Sequence, residues 1–395
     1  MEGEILLFFT AIHLHLSAWR DAILLVATGP FVYYLAATFA AWRFFRRERA
    51  RALPVFTPPV SIIKPVYGVD FGSYENFASF CKQNYPHYEI LFAVNDESDP
   101  AVAVIRRIMQ HFPDRPIRLI SGAPKLGTNQ KVNNLALLAR EARHDVLVMS
   151  DSDVRVGPEY LHEVVAPLAD PQTGAVTSLY RGVAQRNLWA ELEAIGAAGD
   201  FCPGVLLASS TEGVRFALGA SIATTKPWLE KIGGFASFAN MLADDYELGN
   251  RIAKAGGSIQ LSREVVSTMY PAQTPRVFWQ HQVRWAKTIR LCRPASYVAL
   301  LFTQGMPWTF LASVLAPSRT IAGVYLGAYL ILRVLMAATV GIWGVQDETL
   351  RRKLWLVPVW DAIHFIVWIA SFASNRVIWG TTQYTAEKGR LIPVP

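Results

Sequence analysis

Apolar residues dominate both ends of the chain, whereas its middle alternates between short apolar runs and polar stretches. Residues 22–42 carry no charged side chain, and a helix of this length can cross the roughly 30 Å hydrocarbon layer of a bilayer. Residues 320–345 and 354–373 are similarly apolar. The pattern predicts a membrane-spanning helix in each of these three stretches.

A fourth apolar stretch, 296–316, is interrupted by Gly305 and Pro307. Non-helical backbone at membrane depth is tolerated only where protein or water covers it. Two alternatives therefore stay open for this stretch: a spanning helix, and a re-entrant or interfacial segment.

Basic residues beside the apolar stretches orient the chain. The segment "RFFRRERAR" (43–51) follows the first stretch directly, and the loop "DETLRRK" (347–353) is also net positive. Because Lys and Arg concentrate on the cytoplasmic side, both segments are expected inside, with the N-terminus outside. An earlier apolar run, 5–18, follows acidic residues, which argues against a secretory signal peptide. We expect that run to be interfacial or extracytoplasmic.

The middle of the chain reads as an α/β domain with a mostly parallel sheet, flanked by transmembrane and interfacial helices. Short β-rich runs alternate with helical ones, the pattern of a parallel sheet buried on both faces. The predicted strands begin the stretches 60–68, 88–96, 117–122 and 145–153 and lead into loops there. The predicted helices lie near 75–84, 99–111 and 130–143. The predicted boundaries are 1–51 for the N-terminal membrane region, 52–291 for the domain, and 292–395 for a C-terminal membrane region with a short tail.

Charged residues stand where the predicted strands end. Lys64 follows the first strand, Asp96 the second, and Asp151 and Asp153 the fourth. In parallel sheets, ligands bind beyond these carboxyl ends. The motif Gly-x-Gly-x-x-Gly is absent, which argues against a dinucleotide. Carboxylates would need Mg²⁺ or Mn²⁺ to hold a diphosphate. Asp-x-Asp also occurs in turns and helix caps, and that alternative stays open.

Two later segments add to this pattern. Residues 241–256 have helical spacing, with Asp244 and Asp245 in the first turn and Gly256 at the end. Helix capping alone would need only one of the two acids. Residues 276–291 mix aromatic and basic side chains and predict an amphipathic helix on the membrane surface.

Composition narrows the class of partner. The chain is 52% hydrophobic and 17% charged, with a net charge of +7, which suits a protein resting on anionic lipid. Nucleic-acid binding is the competing use of basic charge, but no motif of that kind is present. Cys81, Cys202 and Cys292 are scattered and read as free thiols in a reducing compartment.

Five motifs together resemble membrane glycosyltransferases related to family 2, and most closely the ceramide glucosyltransferase family. They are "SIIKPVYGVD" (61–70), "LGTNQKVNNL" (126–135), "SDSDVRV" (150–156), "LADDYELG" (242–249) and "HQVRW" (281–285). The resemblance covers roughly residues 60–385 and implies a GT-A, Rossmann-like catalytic domain. Bacterial glycosyltransferases acting on hopanoids look like the same group, and the motifs do not separate the two.

The resemblance also implies roles for the acidic residues. Asp96 would contact the uracil of a UDP-sugar, and Asp151 the ribose or sugar. Asp153 would hold the divalent cation at the diphosphate. Asp245 would be the general base, with Asp244 shaping its loop.

For the remaining residues the resemblance implies donor binding. Lys64 and Lys131 would act near the nucleotide-sugar, and Arg284 and Trp285 would close over the diphosphate and the acceptor. The family motif begins with Gln or Arg three residues before its Arg, whereas this chain has His281. A histidine can also donate to phosphate, so His281 is retained in the predicted donor site.

The function implied is inverting transfer of a hexose from a UDP-sugar, foremost UDP-glucose, to the hydroxyl of ceramide. The alternative is transfer of N-acetylglucosamine to a hopanoid. Few spans leave little room for the polymer channel of a polysaccharide synthase, and a non-catalytic scaffold would not need Asp153, Asp245 and Arg284 together. We expect an integral protein of the bacterial inner membrane with a cytoplasmic catalytic domain.

Arg333 and Asp361, both in apolar stretches, are predicted to pair.

Overall fold

The middle of the chain forms one eight-stranded sheet in the computed structural model, which describes residues 17–379, 382–387 and 389–394. The strands are β1 (Val60–Pro65), β2 (Tyr88–Val94), β3 (Ile117–Ser121), β4 (Val146–Met149), β5 (Val154–Arg155), β6 (Thr173–Ala184), β7 (Ile222–Thr225) and β8 (Ser258–Tyr270). Their order across the sheet is β3-β2-β1-β4-β7-β6-β8-β5. Only β5 and β7 run against their neighbours. The predicted mostly parallel α/β sheet is confirmed.

The helices surround this sheet and extend beyond it. They are α1 (Ser17–Ala50), α2 (Ser73–Cys81), α3 (Ala101–His111), α4 (Gln130–Glu141), α5 (Tyr160–Val165), α6 (Leu188–Thr211), α7 (Lys226–Lys231), α8 (Asp244–Lys254), α9 (Pro275–Cys292), α10 (Pro294–Thr303), α11 (Gly305–Leu315), α12 (Arg319–Gly344), α13 (Glu348–Arg352) and α14 (Leu354–Ala370). A 3₁₀ turn, Ala166–Ala169, continues α5, and another lies at Phe235–Phe238. Each predicted helix between the first four strands is present.

Local signals start and stop the helices that border the site. The Asn129 side chain caps α4 by accepting from Val132 N, and Thr274 caps α9 by accepting from Val277 N. After α8, Gly256 takes φ = 88°, a left-handed conformation that a side chain would disfavour. Strands β1, β2 and β4 are buried along their whole length, as expected for strands covered on both faces.

Among the described residues, three helices, α1, α6 and α12, are long and apolar enough to cross a membrane. Helices α1 and α12 contain two of the predicted spans, while α14 is shorter than a full span. The interrupted stretch 296–316 forms α10 and α11, which meet at an angle of 49°. The predicted helix at 5–18 lies almost entirely outside the described residues.

Helix α6 was not expected as a candidate span. It packs on β6 on one side and on α1 and α12 on the other, and most of its apolar surface is buried inside the molecule. A helix that is apolar all round needs such a buried position. Helix α6 is therefore the layer between the sheet and the outer apolar helices.

The predicted pair in the apolar helices is present. Arg333 Nη2 lies 2.7 Å from Asp361 Oδ1, and Tyr329 donates to Asp361 Oδ2 at 2.8 Å. Arg333 Nη1 also donates to Gly199 O at 2.7 Å, inside a π-helical turn of α6. The ion pair therefore joins three helices.

The C-terminal tail forms a second sheet, which the sequence did not predict. Its antiparallel strands are β9 (Arg376–Trp379), β10 (Thr382–Glu387) and β11 (Arg390–Pro393), in the order β11-β10-β9. Leu391 N donates to Asn240 O, and Leu242 N donates to Gly389 O, each at 2.8 Å. These bonds attach the sheet to the loop that precedes α8.

Candidate functional site

The first group of predicted residues meets in a cleft beyond the carboxyl end of β4. Lys131, in the first turn of α4, has its Nζ 2.7 Å from Asp151 Oδ1 and 3.2 Å from Asp244 Oδ2. Asp245 stands beside Asp244 in the first turn of α8. These four residues line one narrow cleft, together with Gly219 and Phe238.

Gly219 forms the point at which these side chains converge. A Cβ at this position would lie 3.2 Å from both Asp151 Oδ2 and Asp245 Oδ2, and 3.5 Å from Lys131 Nζ. The Gly219 N–H donates to Asp245 Oδ2 at 2.9 Å. The absence of a side chain here lets two carboxylates approach the same backbone segment.

The Asp245 carboxylate is fixed by the backbone. Besides the Gly219 N–H, Tyr246 N donates to its Oδ1 at 2.7 Å, so each oxygen keeps capacity for a further hydrogen bond. Burial, and then the neighbouring carboxylate of Asp244, raise the pKa of Asp245 to about 6. Lys131 acts in the opposite direction, because its charge favours the ionised carboxylate. Asp245 is thus an oriented carboxylate whose pKa is close to neutral.

Lys131 binds carboxylates where the sequence predicted a role near phosphate. Burial alone would lower its pKa, but the surrounding carboxylates, first Asp151 and then Asp244, outweigh burial and raise it. The ammonium therefore stays charged and offsets part of the negative charge in the cleft.

Asp153 belongs to a second set of carboxylates next to this cleft. Burial, and then the charge of Asp151, raise the pKa of Asp153 to about 7. Asp70, which the sequence did not single out, also acts on Asp153, and burial raises its pKa as well. The Ser152 hydroxyl donates to Asp70 Oδ2 and ties the loop after β1 to the Asp-x-Asp segment.

Lys64 lies beneath that segment and is fully buried. Its Nζ donates to Asp151 O at 2.8 Å and sits 3.8 Å from the centre of the Phe80 ring. Burial lowers the pKa of Lys64 to about 7. This position favours a role in holding the loop, and direct contact with a ligand stays a prediction.

The acidic set fits a metal ion only together with a phosphate ligand. Across the described part of the chain, no three His, Cys, Asp or Glu side chains are arranged to hold a metal by themselves. Mg²⁺ commonly takes one or two carboxylates and completes its shell with substrate phosphate and water. The repulsion between Asp151 and Asp153, which contributes to the raised pKa, is what a divalent cation would relieve.

Asp96 stands apart from the other predicted residues. It is exposed at the end of β2, and its Oδ1 accepts from Ser98 N at 2.8 Å and from the Ser98 hydroxyl. These hydrogen bonds lower the pKa of Asp96. Among the residues described, none of the cleft carboxylates or lysines bonds to it, and its contact with uracil stays a prediction.

The second group of predicted residues lies on α9. His281 and Trp285, four residues apart, have ring centres separated by 5.0 Å. Trp285 also packs against Phe201 of α6, with ring centres 6.5 Å apart. Burial lowers the pKa of Arg284, and within the described residues its guanidinium donates no hydrogen bond. Arg284 is therefore available to an anionic ligand.

Glu193 organises this second group and was missed from the sequence. It is 4% exposed on α6, and its Oε1 pairs with His281 Nδ1. It also accepts from Gln282 Nε2 at 3.3 Å and from Gln273 Nε2 at 2.5 Å. An acidic residue in the apolar segment "LWAELEAIGAA" (188–198) was the available signal, since a buried carboxylate requires partners.

The two groups flank one buried side chain. Tyr180 of β6 lies within electrostatic range of Asp245, Glu193 and Asp153, and its ring centre is 5.4 Å from that of Phe201. The carboxylate cleft and the middle of α9 are therefore neighbours across Tyr180.

The chain is similar in sequence to known glycosyltransferases. The sequence model of glycosyl transferase family 21 matches residues 22–392. Ceramide glucosyltransferase 3 of Caenorhabditis elegans is 26% identical over 294 residues, which are 71% of this chain and 62% of that protein. Ceramide glucosyltransferase 1 of the same organism is 27% identical over 231 residues, 58% of this chain and 49% of that protein. The chain thus spans about half to three fifths of the length of these relatives.

A solved structure shares the fold. The mannosyltransferase PcManGT from Pyrobaculum calidifontis, in complex with GDP-Man and Mn²⁺, superposes with a TM-score of 0.53 at 18% identity, over 90% of this chain and 99% of that one. The predicted GT-A fold is confirmed. Because the family model covers nearly the whole chain, from the first apolar helix to the C-terminal sheet, the protein belongs to glycosyl transferase family 21.

Proposed function

We propose that this protein transfers glucose from UDP-glucose to a hydroxyl of ceramide, with inversion at the anomeric carbon. The observation that carries the proposal is the convergence of Asp151, Asp245 and Lys131 at Gly219, next to Asp153, whose pKa is raised. The GT-A fold and the ceramide glucosyltransferase relatives support it.

The donor would lie beyond the carboxyl end of β4. Asp153, with Asp151, would hold Mg²⁺ or Mn²⁺, which when bound neutralises charge on the departing diphosphate. The unpaired, half-buried guanidinium of Arg284 would contact the same diphosphate, because charge-assisted bonds to phosphate are strong. Lys131 would keep the carboxylates from repelling the donor.

Asp245 would act as the general base. The acceptor hydroxyl oxygen attacks the anomeric carbon, the bond from that carbon to the UDP oxygen breaks, and the hydroxyl proton passes to Asp245. A pKa raised to about 6 by burial suits this role at neutral pH, since the group is ionised yet more basic than an exposed carboxylate. One direct displacement of this kind inverts the configuration.

The apolar helices would bring the acceptor to the cleft. Helix α9, which carries Arg284 and Trp285, leads directly into α10 and α11. The C-terminal ends of α1 and α12 meet where Arg49 donates to Trp343 O at 2.8 Å, and the basic residues beside them would face the cytoplasm. The proposal therefore has the sheet domain on the cytoplasmic side of the bacterial inner membrane.

The test uses the full chain in lipid nanodiscs with UDP-glucose, ceramide and Mg²⁺ or Mn²⁺. We expect UDP release that depends on ceramide, glucosylceramide by mass spectrometry, a β-anomer by NMR, and loss of activity with EDTA. Asp245→Asn should lower kcat at least 100-fold, as loss of a general base does.

Glu247→Gln is the matched control, because Glu247 lies on the same helix but pairs with Arg251 at 2.9 Å. UDP-N-acetylglucosamine and a hopanoid, offered in parallel, measure the alternative pair. Product formation by Asp245→Asn at the normal rate, or transfer only with the alternative pair, would contradict the proposal.

A further inference from the structure

A second polar cluster lies among the apolar helices. His364 Nδ1 of α14 is 3.0 Å from Asp200 Oδ2, and Trp360 Nε1 lies 3.3 Å from the same oxygen. Asp200 belongs to the π-helical turn of α6, at Ala197–Phe201. Charged groups in apolar helices are expensive and call for an explanation.

The nearby Arg333–Asp361 pair is buried and fully hydrogen-bonded, whereas the side chains of this cluster are partly exposed. Arg333 and Asp361 are 2% and 10% exposed, and their polar atoms are occupied by each other, by Gly199 O and by Tyr329. The side chains of Asp200 and His364 are 25% and 28% exposed. The first pair is structural, and the second leaves polar atoms accessible.

Two polar groups at the pair have unused hydrogen-bonding capacity, and a third polar side chain lies beside them. Within the described residues, nothing hydrogen-bonds to His364 Nε2 or to the Tyr33 hydroxyl. That hydroxyl lies against Gly204, one helical turn after Asp200, because a Cβ on Gly204 would be 3.8 Å from it. Gln304, at the break between α10 and α11, has its Nε2 3.5 Å from His364 Nδ1. Open polar groups in apolar surroundings are stabilised by a polar ligand.

The cluster lies between the cleft and the apolar outer surface. Phe201, the residue after Asp200, packs against Trp285 and Tyr180 at the cleft. Near Gln304, the side chain of Phe302 is 50% exposed. The cluster is therefore next to the cleft, with an exposed apolar side chain nearby.

We propose that Asp200 and His364, with Gln304 and Tyr33, bind the neutral polar head of the lipid acceptor. The Asp200 carboxylate would accept from a hydroxyl or amide N–H of the lipid, and His364 Nε2 would bond to a second such group. A phosphodiester is disfavoured, because the carboxylate repels it and the cationic Arg333 is already neutralised by Asp361. This inference rests on the proposed function and adds a ceramide subsite separate from Asp245.

The test compares Asp200→Asn and His364→Phe with the wild type. Phenylalanine keeps the stacking of His364 on Trp360, whose rings are 12° from parallel, and removes only the polar atoms. Ile366→Ala, on the same helix and exposed, is the matched control. Rates are measured with ceramide and UDP-glucose varied in turn. Binding of short-chain fluorescent ceramide and of fluorescent phosphatidylcholine is measured separately, in detergent and without donor.

We expect both variants to raise KM for ceramide and weaken ceramide binding about tenfold, with KM for UDP-glucose and the thermal unfolding temperature unchanged. Phosphatidylcholine binding should not respond. Unchanged ceramide parameters, or equal losses for phosphatidylcholine, would overturn this inference and leave the proposed function intact. A wild type that releases no UDP with ceramide and binds no ceramide probe would contradict both, whereas binding without transfer would contradict the proposed function alone.

Discussion

Lys131 pairs with both Asp151 and Asp244, and its charge also acts on the neighbouring Asp245. Asp245 must be ionised to accept a proton, so kcat/KM should rise with pH through about 6, the value to which burial raises its pKa. Lys131 lowers the pKa of Asp245. Lys131→Met should therefore move this limb to higher pH and reduce the rate at neutral pH. Profiles at saturating metal, from about pH 5 to 9, measure the shift.

Lys125→Met is the control for this experiment, since Lys125 is exposed on the loop before α4. Its profile should match that of the wild type. If the limb stayed in place in the Lys131 variant, Asp245 would not be the titrating base.

Glu193 compensates for the unusual histidine in the α9 motif. Its buried carboxylate pairs with His281 Nδ1 and so fixes the ring and leaves Nε2 for other contacts. Glu193→Gln should lower kcat/KM about tenfold. In a His281→Gln background, which restores a residue usual in the family motif, the same change should cost less than about twofold, because the partner is gone.

Glu191→Gln serves as the comparison, because Glu191 lies on the same helix but pairs with Lys353 at 2.6 Å. Separate kcat and KM values are measured for Glu193→Gln, for His281→Gln and for the double variant. Additive losses in the double variant would mean that Glu193 acts independently of His281.

At the residue scale, sequence reasoning located the acids but not their partners. Asp151, Asp153, Asp244 and Asp245 could be expected together, because strand ends and helix starts meet at one edge of a parallel sheet. Asp70 and Gly219 could not, because their roles depend on contacts between segments far apart in sequence, and for Glu193 the sequence signalled only that its carboxylate needs a partner. A glycine between two carboxylates has no local signature.

At the element scale, the helices and strands that could be predicted were those with a clear hydrophobic pattern in the sequence. Strands β1 to β4 were found because continuous apolar runs bounded by polar turns are distinctive. Helix α6 was overlooked because a helix buried on all sides lacks the amphipathic period. The C-terminal strands were missed because they pack on a distant segment, Asn240 to Leu242, and no nearby sequence indicates that partner.

The C-terminal sheet should support the loop that leads into α8. Leu391 is 3% exposed and packs in a small cluster with Leu242 and Val377. Leu391→Ala should cost this sheet about 2 kcal/mol and lower kcat several-fold, because Leu242 precedes Asp244 and Asp245 by only two or three residues. Limited proteolysis should show new cleavage near residue 240.

The adjacent Ile392 provides a control, since it is 45% exposed. Ile392→Ala should leave rate and proteolysis unchanged. Equal behaviour of the two variants would show that the sheet does not support the loop.

At the scale of the whole molecule, the sheet domain and the apolar helices are joined by polar contacts on both sides of α6. Gly182 N donates to Asp347 Oδ2 at 3.1 Å, and Arg181 Nη1 to Val345 O at 3.2 Å. The Arg333–Asp361 pair reaches α6 at Gly199. The apolar stretches could be read from composition, but this joining could not, because each contact links residues more than 100 positions apart in sequence.

The Arg333–Asp361 pair should therefore matter for assembly more than for chemistry. Removing one partner leaves a buried charge unpaired, which costs about 3 kcal/mol or more, whereas replacing both by apolar groups is often nearly neutral. Arg333→Leu and Asp361→Leu should each lower the thermal unfolding temperature and the yield of monodisperse protein in detergent, and the double variant should recover much of both. Fluorescence-detected size exclusion and thermal unfolding measure this. The matched exposed change Ile331→Ala, on the same helix, should have little effect. If both single variants behaved like the wild type, the pair would not hold the outer apolar helices against α6. The contact between the sheet domain and the apolar helices would then depend on Asp347 and Arg181.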